Sequence, residues 1–310
     1  MSEFNLSNLS LLRKEDLRLL LHSLQERTNK STDWKINNIR NVKSWARASN
    51  LIDAKGLTEL GKILINKDPN LQATVTDWVI HFQLSLGNYP LFNYFIHDYI
   101  KNYKHIKNSQ LETNTIKAMK LLVRIYTETE ALAKCRFITK NGQDFSIGSP
   151  DLSNTFTVAY LLAEIWERKY PNSRSLLVNE VLSHDYQMTT ILGIKTESLR
   201  LYLDKLAQHE IIEQRLAGFY AVDELPPIKL KSDEDYQIFP CWESSLELLK
   251  RAYDNDVDTP NRPLALALDD YLNDVEVPDF SQFLEIISEI KPFQIISLLS
   301  FFQHHLSVAC

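Results

Sequence analysis

Hydrophobic and basic residues recur at helical spacing between Trp34 and Ile52. The apolar positions step by three and four residues, which places them on one side of a helix. They are Ile36, Ile39, Val42, Trp45 and Ala46. The other side carries basic residues and amides, and the stretch has no acidic residue. The pattern predicts an amphipathic helix with a core side and a cationic side.

The segments around this helix predict a winged helix-turn-helix that occupies residues 1–70. A leucine-rich helix is predicted within residues 11–25; Leu51 and Ile52 then form a short strand before a turn and a helix at residues 57–64. Such folds usually lay their second helix in the DNA major groove, where Arg, Lys and Asn contact phosphates and base edges. The candidate DNA contacts are Lys35, Asn37, Asn38, Arg40, Asn41, Lys43, Arg47 and Lys55.

A helical middle domain is predicted for residues 71–150. Its helices are expected at residues 71–86, 91–103 and 114–130. The second of them has too many aromatic residues for one stripe, so we expect it to lie between neighbouring helices. The third directs Lys117, Lys120 and Arg124 outward and extends the basic surface. The polar segment 137–153, which contains Gly and Pro, is predicted to be the domain boundary.

A second winged-helix-like domain is predicted for residues 151–228. Its helices are expected at residues 155–168, 174–182, 187–192 and 195–209. A hairpin follows, with residues 213–216 paired to residues 219–222 around Ala217-Gly218. The last helix mixes acidic and basic side chains, so we favour packing or protein contact over DNA contact for this domain.

An acidic helical region is predicted for residues 229–310. Its helices are expected at residues 243–253, 264–273, 280–290 and 292–306. Residues 223–289 hold seventeen acidic and five basic residues, a net charge of -12, whereas residues 34–67 and 101–124 each carry +5. Anionic polymers would be attracted to the first half and repelled by the second. The acidic half is therefore a candidate docking surface for a basic protein.

Composition favours a mainly α protein that stays in the cytoplasm. The 310 residues include only 7 glycines, while 44% are hydrophobic and 24% charged, as in ordinary folded proteins. No apolar run approaches the roughly eighteen residues of a membrane helix, and the first residues lack the order of a secretory signal. The three cysteines lie far apart and are expected to be reduced thiols.

No motif predicts catalysis, a cofactor or a metal site. The segment Gly56–Ile63 fits a phosphate-binding loop except at its end, where Ile63 replaces the hydroxyl residue that holds magnesium. His81 has no histidine partner at helical spacing and is expected to be a core or surface residue, and the adjacent His304 and His305 point to different helix faces. The sequence predicts a protein that is not an enzyme.

Several short blocks in order resemble the bacterial domain-of-unknown-function 4007 family. The first blocks are Asn37, Ile39-Arg40, Val42-Lys43, Trp45, Ala48, Leu51-Ile52, Leu57-Thr58, Leu60-Gly61, Asp68-Pro69, Leu71, Trp78 and His81. The later ones are Tyr160-Leu161-Leu162, Trp166-Glu167 and Tyr170-Pro171, with the helices up to Leu206. The aromatic and His-Glu-Thr-Phe opening of that family is missing from residues 1–33. The family is often encoded beside DNA phosphorothioation genes that serve in defence, so the resemblance implies an accessory, DNA-associated role without catalytic residues.

The sequence leads to one main functional hypothesis and two alternatives. The main one is a non-enzymatic accessory or adaptor of a phosphorothioation-type or anti-phage defence system that binds double-stranded DNA. The first alternative is a transcriptional regulator that uses the same winged helix. The second is a protein-only scaffold, because any amphipathic helix needs a solvated face and winged helices also dock proteins.

Overall fold

A computed structural model describes residues 11–25, 39–87, 90–103, 113–142, 144–216 and 236–259. The α-helices are α1 (Lys14–Gln25), α2 (Ile39–Ala48), α3 (Glu59–Lys67), α4 (Thr74–Leu86), α5 (Pro90–Asn93), α6 (Ile100–Asn102), α7 (Thr113–Thr127), α8 (Thr155–Lys169), α9 (Val178–Leu182), α10 (Met188–Leu192), α11 (Thr196–Gln208) and α12 (Ser245–Asp254). The strands are β1 (Ile138–Asn141), β2 (Asp144–Ile147), β3 (Leu176–Leu177), β4 (Ile212–Leu216) and β5 (Tyr236–Pro240). A π-helical turn covers Tyr94–Tyr99, and 3-10 turns cover Ala133–Cys135 and His184–Tyr186.

The first three helices pack together, and α2 is joined to α3 by a tight connection. Ile52 and Leu57 form one isolated antiparallel bridge, where the sequence predicted a short strand at Leu51 and Ile52. The Thr58 hydroxyl accepts a hydrogen bond from the Gly61 amide at 3.0 Å and caps the start of α3. A side chain at Gly61 would lie 2.1 Å from the Leu51 carbonyl oxygen, so glycine permits the close approach of α3 to this connection.

Helix α4 is buried along its length, and carboxylates fix its position. Asp68 accepts hydrogen bonds from the Ala73 amide at 2.7 Å and the Thr76 hydroxyl at 2.6 Å, which satisfies groups at the helix start. Asp77 forms an ion pair with Lys14 of α1, with 2.7 Å between Oδ1 and Nζ and both side chains at most 3% exposed. Because removing one partner of a buried pair leaves an uncompensated charge, this contact ties α1 to α4.

The aromatic segment at residues 90–103 is interrupted by a π-helical turn. The Ile100 amide bonds to the Phe95 carbonyl, five residues back. The buried residues Phe95, Ile96, Tyr99 and Ile100 lie in and just after this turn. The Phe95 ring stacks on Tyr126 of α7 with centroids 6.1 Å apart, and the segment also contacts α4 and α10. It therefore lies between neighbours, as its aromatic content predicted.

The described residues after 150 form a helical layer with a small antiparallel sheet. The strand order is β3-β5-β4, with Gln214 opposite Ile238 and Leu176 also opposite Ile238. The predicted hairpin partner of β4, residues 219–222, lies outside the described residues, and β4 instead pairs with β5, which the sequence did not predict. Residues 176–177 form a strand, so the helix predicted at 174–182 begins at Val178. The segment predicted as a polar boundary contains the β1–β2 hairpin.

Helix α12 follows β5 and packs along α8. The Glu167 carboxylate accepts hydrogen bonds from the Ser245 amide at 2.5 Å and the Ser245 hydroxyl at 2.7 Å. Lys67 of α3 pairs with Asp254 of α12 at 2.5 Å. The helix predicted at 243–253 is thus present, while those predicted beyond residue 259 lie outside the described residues.

The described part of the chain is mostly helical and has one continuous core. The buried apolar residues run from Leu12 to Tyr253 in a single cluster. The predicted mainly α class is confirmed, together with a few small antiparallel sheets. Among the described helices, none is both long and apolar enough to cross a bilayer.

Candidate nucleic-acid interface

Helix α2 has the two sides that the sequence predicted. Val42, Trp45 and Ala46 are buried, and the Trp45 ring meets Phe92 edge to face with centroids 6.1 Å apart. The exposed side consists mainly of cationic and small polar residues together with a partly exposed isoleucine: Ile39, Arg40, Lys43, Ser44 and Arg47. The apolar side thus fixes the orientation of the helix, and three cations face outward.

The three outward cations form a row along α2. Arg40, Lys43 and Arg47 are spaced by three and four residues, so they share one face over about 10 Å at ~1.5 Å per residue. Helix α2 contains no acidic residue. A row with this spacing presents guanidinium and ammonium donors along a line, which suits a chain of phosphates.

Lys55 is exposed at the turn between α2 and α3. The Asp53 carboxylate accepts hydrogen bonds from the Lys55 amide at 2.6 Å and the Gly56 amide at 3.0 Å. Gly56 has a φ of 128°, which a residue with a side chain rarely adopts. This turn orders the backbone beside Lys55 and leaves its side chain in solvent.

Asn41 does not belong to the exposed row. Its side chain is on the buried side of α2 and the residue is only 7% exposed, so it cannot reach a base edge without movement of the helix. The sequence pattern grouped Asn41 with the solvent side because amides usually lie there. Lys35, Asn37 and Asn38 lie outside the described residues.

Ion pairing distinguishes the candidate cations from their neighbours. Lys62 pairs with Glu59 at 2.5 Å, and Lys67 pairs with Asp254. Within the part of the chain that the structure describes, all ion pairs involve other residues, and Arg40, Lys43, Arg47 and Lys55 have no ion-pair partner.

The segment that approached a phosphate-binding loop is used structurally. The Gly61 amide donates to the Thr58 hydroxyl, and the Lys62 amide donates to the Thr58 carbonyl at 2.9 Å. Both amides therefore serve the first turn of α3 instead of pointing at a ligand.

Other polar groups that sequence reasoning missed are structural. The Lys14–Asp77 pair joins residues 63 positions apart, a separation that no local pattern reveals. Burial raises the pKa of Asp77 to about 6, against the opposing effect of Lys14. Burial also raises the pKa of the Cys135 thiol, which makes it inert. Among the described residues, no group of three His, Cys, Asp or Glu side chains could hold a metal ion.

Helix α11, the candidate contact helix of the second unit, has a mixed surface. Arg200 pairs with Asp204 at 2.5 Å, and Lys205 lies over the Tyr202 ring at 5.2 Å. Leu201 is 63% exposed between them. This surface lacks the unbroken positive charge of α2 and suits phosphate less well.

The described chain thus belongs to a class of mostly helical proteins with small antiparallel sheets, and its most distinctive surface is a basic helix. No protein-family model matches the sequence, and no curated protein matches it. Two solved structures share its fold. The SspB crystal structure has 14% identity and a TM-score of 0.58, with 88% of this chain and 94% of that chain covered. The magnesium ion-bound SspB structure also has 14% identity and a TM-score of 0.58, with coverages of 85% and 91%. At this identity the likeness shows the fold alone.

Proposed function

We propose that this chain is a non-enzymatic accessory protein of a DNA phosphorothioation or related defence system, and that it binds the backbone of double-stranded DNA through α2. The observation that carries the proposal is the exposed row Arg40, Lys43 and Arg47, without an acid on the helix or an ion-pair partner among the described residues. Lys55, which is exposed in the turn after α2, is a further proposed contact. The four cations are the proposed contacts, and the buried Asn41 is left out.

The side chains of this row favour phosphate contact over base recognition. Proteins usually distinguish one DNA sequence from another by bidentate contacts of Arg, Asn or Gln with base edges in the major groove, made by a helix that lies in the groove. The amide at position 41 is buried, and the chain after α2 forms a single bridge before α3 begins. These features support sequence-independent binding, which suits an accessory protein better than a transcriptional regulator.

The system association is supported by two lines. SspB is a protein of a DNA phosphorothioation system, and its two structures share the fold over most of both chains. The sequence blocks that resemble the domain-of-unknown-function 4007 family point to the same association, although no family model matches the chain. Both lines concern the system and leave the DNA contact to experiment.

The arrangement of the second unit supports the winged-helix interpretation. Its element order is α8, β3, α9, α10, α11, β4 and β5, with β5 between the other strands. The order expected of a winged helix is one helix, one strand, further helices and then two antiparallel strands. We retain domains at 1–70 and 71–150 as part of the proposal. The second unit, predicted at 151–228, is proposed to include β5 from the start of the predicted 229–310 region, with protein contact as its role.

The described acids of the C-terminal part are largely engaged within the molecule. Asp254 pairs with Lys67, Asp256 accepts a hydrogen bond from the Val75 amide at 2.7 Å, and Asp258 pairs with Lys134 at 3.1 Å. A basic partner protein would therefore contact acidic residues outside residues 254–258, such as the exposed Glu243.

Reversing the three charges of α2 tests the DNA contact. We expect the variant Arg40→Glu/Lys43→Glu/Arg47→Glu to lose binding to a random duplex at low salt and to keep the circular dichroism and urea midpoint of the parent. The matched control is Arg174→Glu/Lys195→Glu/Lys250→Glu, which reverses three exposed cations elsewhere. If the triple variant binds as tightly as the parent at the same salt, α2 is not the docking helix.

A further inference from the structure

Helix α7 carries a second cationic face. Thr113–Thr127 contains no acidic residue, and Ala118, Met119, Leu122 and Tyr126 lie in the core. Lys117, Lys120 and Arg124 are exposed and spaced by three and four residues, so they share the opposite face. Arg124 pairs with Glu128 at 2.6 Å, whereas Lys117 and Lys120 have no ion-pair partner within the described residues.

The β1–β2 hairpin adjoins α7 and adds further cations. Helix α7 contacts β1, and the Tyr126 ring meets Phe137, which precedes β1, with centroids 5.3 Å apart. Arg136 and Lys140 are exposed at the start and along the strand. Neither has an ion-pair partner in the described ranges. The hairpin therefore brings two further exposed cations next to α7.

Aromatic contacts bring α6 to the same hairpin. Lys140 and Phe145 are cross-strand partners, so their side chains lie on one face of the hairpin. Phe145 packs on Tyr103, just after α6, with ring centroids 3.8 Å apart. Lys101 of α6 is exposed two residues before Tyr103. Lys101 and Lys140 thus lie on two elements that meet at this aromatic contact.

We infer that these cations form a second surface for the phosphate backbone of duplex DNA. The surface consists of Lys101, Lys117, Lys120, Arg136 and Lys140. This inference rests on the proposed function and goes beyond it, because only the α2 row and Lys55 were assigned the contact. Lys117 and Lys120 are separated by about 4.5 Å along the axis of α7, at ~1.5 Å per residue. That separation is close to one ~3.4 Å step between successive phosphates of one strand.

The partner follows from the chemistry of the surface. The surface is made of four lysines and one arginine, whose positive charges favour contact with phosphate oxygens. Phe145 and Tyr103 are half-buried against each other and fix the junction instead of offering an open ring for a base. Duplex backbone is therefore the occupant assigned here, in preference to a single strand.

The test compares the salt dependence of binding to a random duplex for the full chain and its variants. Each lost phosphate contact reduces the slope of log K against log salt by about 0.9. We expect Lys117→Glu/Lys120→Glu to reduce the slope by about 2, and Lys101→Glu/Lys140→Glu to reduce it by a similar amount. The Lys117→Gln/Lys120→Gln variant checks that loss of charge, without added repulsion, acts in the same direction.

Controls separate this inference from the proposed function. Arg174→Glu/Lys250→Glu makes the same change in net charge and is expected to keep the parent slope. If Lys117→Glu/Lys120→Glu keeps that slope while the α2 triple variant loses binding, the second surface is wrong and the α2 proposal stands. If the α7 variant loses slope and the α2 variant binds like the parent, the second surface stands and the α2 proposal is wrong. Tighter binding of a single strand, lost in the α7 variant alone, would overturn the duplex assignment.

Discussion

His81 shows how the fold decides the state of a titratable residue. Its Nε2 lies 2.7 Å from the Ile191 carbonyl oxygen, and its Nδ1 lies 2.6 Å from the Tyr126 hydroxyl. A carbonyl only accepts, so Nε2 carries the proton and Nδ1 accepts from Tyr126. Complete burial lowers the pKa of His81 to about 4, and the imidazole is neutral near pH 7.

The lowered pKa predicts a pH-dependent loss of stability. The histidine of the unfolded chain takes up a proton below its ordinary pKa of about 6.5, whereas His81 in the folded chain stays neutral until about pH 4. The stabilisation by neutral, buried His81 is therefore complete above pH ~6.5 and is lost as the pH falls below that value. We expect His81→Gln to be less stable than the parent near neutrality. Urea titrations should show that gap narrowing by about 2 kcal/mol between about pH 7.5 and pH 5. A gap that widens over this range would contradict the assignment.

Single residues also mark the limit of what the sequence predicted. The spacing of Val42, Trp45 and Ala46 was enough to predict the buried side of α2, because helical periodicity is a local property. The same pattern misplaced Asn41, since a polar residue at the boundary between faces is assigned by tertiary packing. Asp77 with Lys14 was not predictable, because the two residues are far apart in sequence and meet only in the folded chain.

At the scale of elements, α2 depends on one large side chain. Trp45 is 6% exposed and fills the space beside Phe92 between α2 and the aromatic segment. Truncation would leave a cavity, and changes of this kind in cores cost about 3–5 kcal/mol. We expect Trp45→Ala to lower the free energy of unfolding by that amount, measured by urea denaturation.

Two matched variants identify the cause of that loss. Trp45→Phe keeps most of the volume and should cost less than the alanine variant. Arg47→Ala lies on the exposed side of α2 and should change stability by less than about 0.5 kcal/mol. If Trp45→Ala is as stable as Arg47→Ala, the buried side of α2 has been misassigned.

Elements that form through long-range pairing were predicted least well. Helices α4, α7, α8 and α12 follow clear periodic patterns and were expected near their observed positions. Strand β5 was missed because its pairing with β4 and β3 joins distant parts of the chain. The π-helical turn was also missed, since its wider hydrogen bonding leaves no separate signature in the residue pattern.

At the scale of the molecule, charge separation organises the proposed function. Basic residues are concentrated in residues 34–67 and 101–124, and acidic ones in residues 223–289. Asp254, Asp256 and Asp258, at and after the C-terminal end of α12, form ion pairs or hydrogen bonds with α3, α4 and the turn after α7. These contacts hold the C-terminal end of α12 against the N-terminal part of the chain. Among the described residues, Arg40, Lys43 and Arg47 of α2 and Lys117 and Lys120 of α7 are exposed and are not part of these ion pairs.

The most direct test of the central claim is the salt dependence of binding to two unrelated duplexes of about 20 base pairs. Backbone contact predicts equal affinities within about threefold and a slope of log K against log salt of about -4 from the four cations of the α2 row and Lys55, rising in magnitude to about -8 when the five cations of the second surface are added. A preference of about a thousandfold or more for one sequence would instead indicate a regulator. No binding to either duplex at low salt would contradict the account and leave a protein-only scaffold.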